Sequence, residues 1–223
     1  MNVHLQPQPH DDHARLMDRM YRGQRHIYDL TRKYYLFGRD TAINGLELRP
    51  GMSLLELGCG TGRNLELSGR RHPGTRLFGL DISQEMLLSA KTRFEKAKTP
   101  VTLVAGDAAN FRAADLGEPQ GFDRVMISYA LSMIPDWQGT VEAGLAALKP
   151  GGSLHIVDFG RQEDLPRWFR TALRGWLTRF HVTPRDTLSD YLATLADERG
   201  LTLEISSLGG GYATQAILYR HVH

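Results

Sequence analysis

The chain has 223 residues, a formal net charge of +2 and a charged fraction of 23%, which is ordinary for one globular domain and gives no overall nucleic-acid signature. No stretch approaches the roughly 18 uninterrupted apolar residues of a membrane-spanning helix, which argues against an integral membrane protein. The single cysteine, Cys59, leaves no internal disulfide. The polar segment 1–13 lacks the apolar run of a secretory signal, so we expect a cytoplasmic protein.

In chain order, a proline-bearing tail is predicted over 1–12, a helical cap over 13–48 and one folded domain over 49–223. Within the domain, strands are predicted at 52–57, 76–80, 100–105, 122–128, 153–159, 201–207 and 212–220. Helices are predicted at 62–72, 84–97 and 137–148, with a helical stretch over 164–199. Because strands that alternate with helices form parallel sheets covered on both faces, we predict a doubly wound α/β fold with a seven-stranded, mainly parallel, Rossmann-like sheet.

A glycine-rich motif from Glu56 to Gly62 follows the first predicted strand and opens a helix. Gly58, Gly60 and Gly62 permit backbone turns that a side chain blocks, and they let a ligand approach closely. Asp81 ends the next strand, where a carboxylate can accept hydrogen bonds from both ribose hydroxyls. These positions predict a nucleotide-like ligand at this edge of the sheet.

Two further features weigh against a nicotinamide cofactor. The glycine run is Gly-x-Gly-x-Gly, with Arg63 where a dinucleotide fingerprint has its last glycine. Asp107 follows the third predicted strand, where an acid can accept a hydrogen bond from the adenine amino group. Since glycine spacing alone is weak evidence, a nicotinamide-dependent oxidoreductase stays an alternative.

The order of these motifs over residues 50–220 resembles the class I methyltransferases. The resemblance implies S-adenosylmethionine as the cofactor, S-adenosylhomocysteine as its product and an antiparallel last strand. It places cofactor contacts on Glu56, Gly58, Cys59, Gly60, Gly62, Asp81, Ile82, Asp107, Ala108 and Ser128. The alternative is that these glycines and acids only form turns and caps.

The segment from Met17 to Asp40 is the most distinctive part of the chain. Together with Val157–Gly160 and Gly210–Ala213, it resembles the methyltransferase of betaine-lipid synthesis, which trimethylates diacylglycerylhomoserine. The resemblance implies N-methylation of a lipid headgroup amine and a partner enzyme that makes the homoserine lipid. A methyltransferase for phosphatidylethanolamine or a small amine is the main alternative, and an RNA-binding methyltransferase is a weaker one.

Aromatic residues near the cleft are the candidates for the acceptor site. Tyr28 and Tyr35 belong to the predicted cap and Tyr129 follows the fourth strand, and aromatic faces bind quaternary ammonium groups well. Asp158 is a candidate for orienting the amine, whereas the mid-strand His155 is expected in the core. Because methyl transfer mainly needs alignment of nucleophile, carbon and sulfur, we expect neither a covalent intermediate nor a metal. Equally, the tyrosines can simply pack the cap onto the core.

The helix predicted around 165–180 carries apolar residues at three- and four-residue spacing. Trp168, Phe169 and Trp176 belong to this stripe, and arginines such as Arg167 lie at its margins. The pattern is typical of a helix in the headgroup layer of an anionic membrane, but an apolar stripe also packs commonly on a sheet. Peripheral membrane contact and a core helix are therefore both open.

Overall fold

The computed structural model describes residues 37–180 and 182–222. Residues 1–36, which hold the predicted tail, most of the predicted cap and both Tyr28 and Tyr35, lie outside the described residues. The division into 1–12, 13–48 and 49–223 therefore stays a prediction.

The described chain alternates strands with helices in the predicted order. The strands are β1 (Ser53–Leu57), β2 (Arg76–Asp81), β3 (Thr102–Ala105), β4 (Phe122–Ser128), β5 (Leu148–Phe159), β6 (Thr202–Leu208) and β7 (Ala213–Tyr219). The helices are α1 (Arg39–Asn44), α2 (Arg63–Arg71), α3 (Gln84–Ala97), α4 (Trp137–Ala146), α5 (Arg167–Arg179) and α6 (Leu188–Arg199), with a short 3-10 helix at Ala113–Leu116.

The strands form one seven-stranded sheet in the order β3-β2-β1-β4-β5-β7-β6. The first five strands in this order are parallel, and β7 is antiparallel to both β5 and β6. The predicted fold class is confirmed. The strand order reverses between β1 and β4, and ligands of open α/β sheets bind outside the carboxyl ends of the strands at such a point.

Alternate residues of the central strands pack on opposite faces of this sheet. Leu54 of β1 and Met126 of β4 belong to one apolar cluster, whereas Leu55 and Ile127 belong to another. Every residue of β1 is buried, as expected for a parallel strand covered by helices on both sides. The two clusters hold the central strands, and therefore their carboxyl ends, in fixed positions.

Two elements differ from the sequence-based prediction. β5 begins at Leu148, five residues early, because Lys149–Gly152 forms an irregularity in its pairing with β4. The predicted helical stretch over 164–199 consists of two helices, since α5 ends at Arg179, near the end of the helix predicted around 165–180, and α6 begins at Leu188. Pro184 lies between them, and proline has no N–H to donate within a helix.

Candidate active site

The glycine loop after β1 is shaped by its backbone. Gly58, Gly60 and Gly62 have φ values of +67°, +54° and +73°, a region that side-chain-bearing residues rarely adopt. A Cβ atom on Gly58 would lie 2.6 Å from the Cβ of Ala130, and one on Gly62 would lie 2.8 Å from the Phe94 ring. The loop therefore has no room for a side chain at Gly58 or at Gly62.

Asp81, the last residue of β2, ties this loop to the end of its strand. One carboxylate oxygen accepts a hydrogen bond from the Gly60 N–H at 2.7 Å, and the other accepts one from the Ser83 N–H at 2.9 Å. The next residue, Ile82, packs against the buried Met86 of α3. The acid and an apolar surface thus lie side by side, as a ribose and an adenine ring require.

Glu56 and Cys59 lie beneath the loop. Glu56 is buried and accepts a hydrogen bond from the Asn64 side-chain amide at 2.8 Å, which joins β1 to the first turn of α2. Burial raises the pKa of the Cys59 thiol well above its usual value, and the charges of Asp81 and Glu56 raise it further. Because only a thiolate is strongly nucleophilic, Cys59 is a packing residue of the loop and not a nucleophile.

The ends of β3 and β4 complete this side of the cleft. Asp107 accepts a hydrogen bond from the Ala109 N–H at 2.9 Å in the turn after β3, and Ala108 is buried in the core. Ser128 ends β4, and its buried Oγ has no hydrogen-bond partner within residues 37–180 and 182–222. A buried hydroxyl usually has a hydrogen-bond partner, and the cofactor contact predicted for Ser128 would supply one.

S-adenosylmethionine fits these residues. The positive-φ glycines would leave space for its methionine part, and the Asp81 carboxylate would accept from its ribose. Ser128, whose hydroxyl has no partner within the described residues, ends β4 at the same edge. The structure gathers all ten cofactor candidates at or just after the carboxyl ends of β1–β4. Their individual contacts with the cofactor stay predictions.

Tyr129 lies on the other side of the reversal point. It has a φ of +53°, is almost fully buried, and donates its hydroxyl hydrogen to the Phe37 carbonyl oxygen. Its ring meets that of Phe159 edge to face at 4.8 Å. Burial, with a smaller effect from the Asp158 charge, raises the pKa of Tyr129 well above its usual value, so this side chain is a neutral donor.

Asp158 orders the loop that follows β4. It is fully buried and accepts hydrogen bonds from the backbone N–H groups of Ser132 at 3.2 Å and Phe159 at 2.8 Å. Burial raises the pKa of its carboxyl. Arg185, which the sequence analysis did not single out, donates to two carbonyl oxygens within 131–134. These contacts give Asp158 a positioning role, and its direct contact with an acceptor amine stays a prediction.

An apolar pocket of about 500 Å³ opens at Phe37, the residue whose carbonyl oxygen accepts the Tyr129 hydrogen bond. Its lining consists of Phe37, Phe169, Ala172, Leu173, Trp176, Gly209 and Tyr212. Because Ala213 of the antiparallel β7 pairs with Phe159, the turn that carries Tyr212 lies at the carboxyl edge, together with the glycine loop. The Gly209–Tyr212 run was the available signal for this turn, but nothing in the sequence placed it against α5. A larger groove of about 890 Å³ between α3 and β3 shares no lining residue with this pocket.

Helix α5 is partly core and partly exposed. Leu177 is buried against the sheet, and Trp176 packs on Phe180 with ring centroids 4.9 Å apart. In contrast, Trp168 is 74% exposed and Phe169 is 37% exposed. No helix within residues 37–180 and 182–222 is long and apolar enough to cross a bilayer.

Comparison with known proteins identifies the family. A family model described as a methyltransferase domain matches residues 54–152. The demethylmenaquinone methyltransferase of Thermobifida fusca is 31% identical over 196 residues, which covers 82% of this chain and 80% of that protein. The chain belongs to the class I S-adenosylmethionine-dependent methyltransferases. The resemblance to this family is thereby confirmed, and S-adenosylmethionine is the cofactor of this methyltransferase.

Solved structures share the fold of this methyltransferase. An S-adenosylmethionine-dependent methyltransferase from Aquifex aeolicus has a TM-score of 0.59 at 16% identity, with 84% of this chain and 92% of that chain covered. Phosphoethanolamine N-methyltransferase 2 from Haemonchus contortus, solved with phosphomonomethylethanolamine and S-adenosylhomocysteine, has a TM-score of 0.63 at 17% identity, with 83% and 52% covered. Several further curated methyltransferases are matched over about half of their length.

Proposed function

We propose that this methyltransferase N-methylates the amine of diacylglycerylhomoserine in three successive steps, which yields the trimethylated betaine lipid. The observation that carries the proposal is the pocket of about 500 Å³ lined in part by the rings of Phe37, Trp176 and Tyr212, at the edge of the sheet that bears the glycine loop. The resemblance of residues 17–40 to the betaine-lipid enzyme supports the same acceptor. A separate enzyme that supplies the homoserine lipid is part of this proposal.

The cofactor side supplies position and charge. S-adenosylmethionine, when bound, carries the methyl group on a sulfonium, which is transferred by in-line displacement. The glycine loop would hold its methionine part, Asp81 its ribose, and Asp107 with Ile82 its adenine. The protein then has mainly to align the amine with that methyl group and keep water out.

The acceptor side suits an amine that becomes a quaternary ammonium. Phe37, Trp176 and Tyr212 place aromatic rings around the pocket, and ring faces attract cations at about 0.5 to 2 kcal/mol each. The nucleophile is the neutral amine, so the ammonium form has to give its proton to water before the displacement at the methyl carbon. Tyr129 is buried and neutral, which makes it a hydrogen-bond donor and not the base that takes this proton.

A second candidate is C-methylation of a demethylmenaquinone, and the names of the relatives favour it. An apolar pocket also accommodates a quinone ring, and both acceptors are themselves lipids. The two reactions differ in the nucleophile, which is a ring carbon in the quinone and a nitrogen in the homoserine lipid. They also differ in the number of methyl groups added, which is one for the quinone and three for the homoserine lipid.

The two acceptors can be compared directly. The purified full chain is given S-adenosylmethionine and either diacylglycerylhomoserine or demethylmenaquinone in the same detergent, and products are followed by mass spectrometry. We expect mono-, di- and trimethylated homoserine lipid in sequence and no methylated quinone. If the quinone is methylated and the homoserine lipid stays unmodified, the proposed N-methylation is wrong and the second candidate, C-methylation, is supported.

A pair of variants connects the reaction to the pocket. Tyr212→Leu alters the pocket lining, whereas Tyr191→Leu alters a tyrosine of α6 that bonds Glu142 elsewhere. We expect Tyr212→Leu to raise the KM for the homoserine lipid with unchanged cofactor affinity, and Tyr191→Leu to change neither. If both variants leave the KM unchanged, the pocket is not the acceptor site.

A further inference from the structure

The outward side of α5 carries a line of residues with no partner in the core. Trp168, Ala172, Gly175 and Arg179 follow one another at spacings of four, three and four, which places them along one face of a helix. All four are exposed. We call this line, together with Phe169 and Arg167, the α5 outer face.

Aromatic area dominates the α5 outer face. Trp168 is 74% exposed and stacks edge to face on Phe169 at a centroid distance of 5.7 Å. Most proteins bury a tryptophan at least in part, and an exposed pair of large rings usually marks a contact surface. The opposite side of the same helix already packs on the sheet through Leu177, so the outer face is not needed for folding.

Of the four arginines of α5, Arg170 is half-buried and the other three are exposed. Arg174 is committed to the protein through an ion pair with Asp186 at 3.0 Å. Arg167 and Arg179, at the two ends of the helix, are exposed and make no ion pair among the described residues. Two uncompensated guanidinium groups that flank tryptophan and phenylalanine match phosphates above an apolar layer. The acidic Glu163 and Asp164 lie before the helix, close to the β6–β7 turn.

The α5 outer face is continuous with the acceptor pocket. Phe169 and Ala172 belong to both, and Trp176 lies one turn further into the pocket. A lipid that lies against the outer face thus has its headgroup at the pocket mouth, beside Tyr212. The α5 outer face is therefore next to the pocket in which the methyl transfer is proposed to take place.

We propose that the α5 outer face binds an anionic membrane surface, with Trp168 and Phe169 in the headgroup layer and Arg167 and Arg179 on lipid phosphates. The headgroup to be methylated then enters the pocket while the acyl chains of the lipid stay in the bilayer. The proposal rests on the lipid acceptor proposed above, but the surface alone makes it testable.

The first experiment measures binding to membranes without any acceptor. The full chain is sedimented with vesicles of phosphatidylcholine alone or of phosphatidylcholine with phosphatidylglycerol, at low and high salt. We expect binding only to the anionic vesicles, weakened by salt as the Debye length falls below about 10 Å. Trp168→Ser with Phe169→Ser should reduce the partition coefficient by about tenfold or more, because two rings no longer enter the headgroup layer.

Matched variants separate the surface from general effects. Leu88→Ser with Lys91→Glu changes an exposed apolar residue and a cation on α3, and it should leave sedimentation unchanged. Arg167→Glu with Arg179→Glu should abolish the preference for anionic vesicles. All variants should keep the melting temperature and the affinity for S-adenosylhomocysteine of the parent.

Several outcomes would overturn the proposal. One is equal binding to neutral and anionic vesicles, and another is sedimentation that the substitutions at Trp168 and Phe169 do not change. A third is Trp168 emission that is shielded from acrylamide in the absence of vesicles. That result would mean that residues 1–36 or a second copy of the chain covers the face. Failure of the proposed function is distinguishable, because vesicle binding contains no acceptor. Binding without N-methylation would reject the homoserine lipid alone, and methylation in detergent without vesicle binding would reject the membrane face alone.

Discussion

The two halves of the carboxyl edge are built differently. On the β1–β3 side, backbone geometry forms the site: three positive-φ glycines in one loop, fastened by N–H groups that donate to Asp81. On the β4–β7 side, side chains form it: the rings around the pocket come from α5, from the β6–β7 turn and from Phe37. We call these the cofactor half and the acceptor half.

The difference explains why family membership reveals the cofactor and not the acceptor. A backbone cradle tolerates few substitutions, so it can be read from glycine spacing and shared by enzymes with many acceptors. A pocket of side chains changes with each substitution and leaves the fold intact. A relative at 31% identity therefore shows the family and the cofactor, and its acceptor comes to this chain only as a hypothesis.

The strongest test of a backbone-built cofactor half is Gly58→Ala, compared with Gly51→Ala. Both glycines have positive φ, but a Cβ on Gly58 meets Ala130 at 2.6 Å while one on Gly51 meets nothing within 4 Å. Each change should cost about 1 to 2 kcal/mol of stability through backbone strain. Only Gly58→Ala should also weaken S-adenosylhomocysteine binding, by at least about 100-fold or 2.7 kcal/mol.

Calorimetric titration and thermal melting measure these two quantities separately. Equal affinity in the two folded variants would show that the loop adjusts, and that the cofactor half does not depend on its backbone shape.

The next largest effect is expected for Asp81→Ala. Loss of a charge-assisted hydrogen-bond acceptor should weaken S-adenosylhomocysteine binding by about 1.5 to 3 kcal/mol. The same carboxylate also orders the loop through Gly60, so the loss alone does not identify a ribose contact. Titration with 2′-deoxy-S-adenosylhomocysteine separates the two roles. If Asp81 contacts the ribose, the parent should bind this analogue more weakly than S-adenosylhomocysteine, whereas Asp81→Ala should bind the two equally.

The acceptor half rests on β5, and His155 at its centre makes that strand sensitive to acid. Burial, with a smaller effect from the Arg124 charge, lowers the pKa of His155 to about 3, and its Nε2 lies 2.8 Å from the Ser153 hydroxyl. The unfolded chain binds this proton below a pH of about 6.5, whereas the folded chain binds it only near 3. The folded state therefore loses stability as the pH falls through this window.

Between pH 7 and pH 5 this loss should be about 2 kcal/mol. His155→Gln has no titrating ring, so the stability difference between parent and variant should shrink by that amount at pH 5. Urea unfolding at the two pH values measures it. A difference that is the same at both would mean that His155 titrates normally in the folded protein.

The sequence predicted the fold and the cofactor because their determinants are local. Glycine spacing, an acid at the end of β2 and the alternation of strands with helices are properties of short segments. The acceptor half depends on contacts between distant segments. Nothing in the sequence indicated that Phe37 would meet Tyr129, or that Arg185 would hold the loop at 131–134. The periodicity at 165–180 predicted α5, but no start was predicted for α6, because the apolar spacing that follows Pro184 is less regular.

The smallest expected effect tests how the two halves meet, at Tyr129. Its hydroxyl donates to the Phe37 carbonyl, so Tyr129→Phe removes one buried hydrogen bond and keeps the ring packing on Phe159, at a cost of about 1 kcal/mol. Tyr191→Phe, which loses a bond to Glu142 on the surface, is the matched control. Affinity for S-adenosylhomocysteine should not change in either variant, because the cofactor half contains neither hydroxyl. Turnover of the lipid acceptor should fall several-fold in Tyr129→Phe alone, since Phe37 lines the pocket and its backbone is held by this bond. If Tyr129→Phe keeps full turnover of the lipid acceptor but binds S-adenosylhomocysteine more weakly, Tyr129 belongs to the cofactor half and not to the acceptor half.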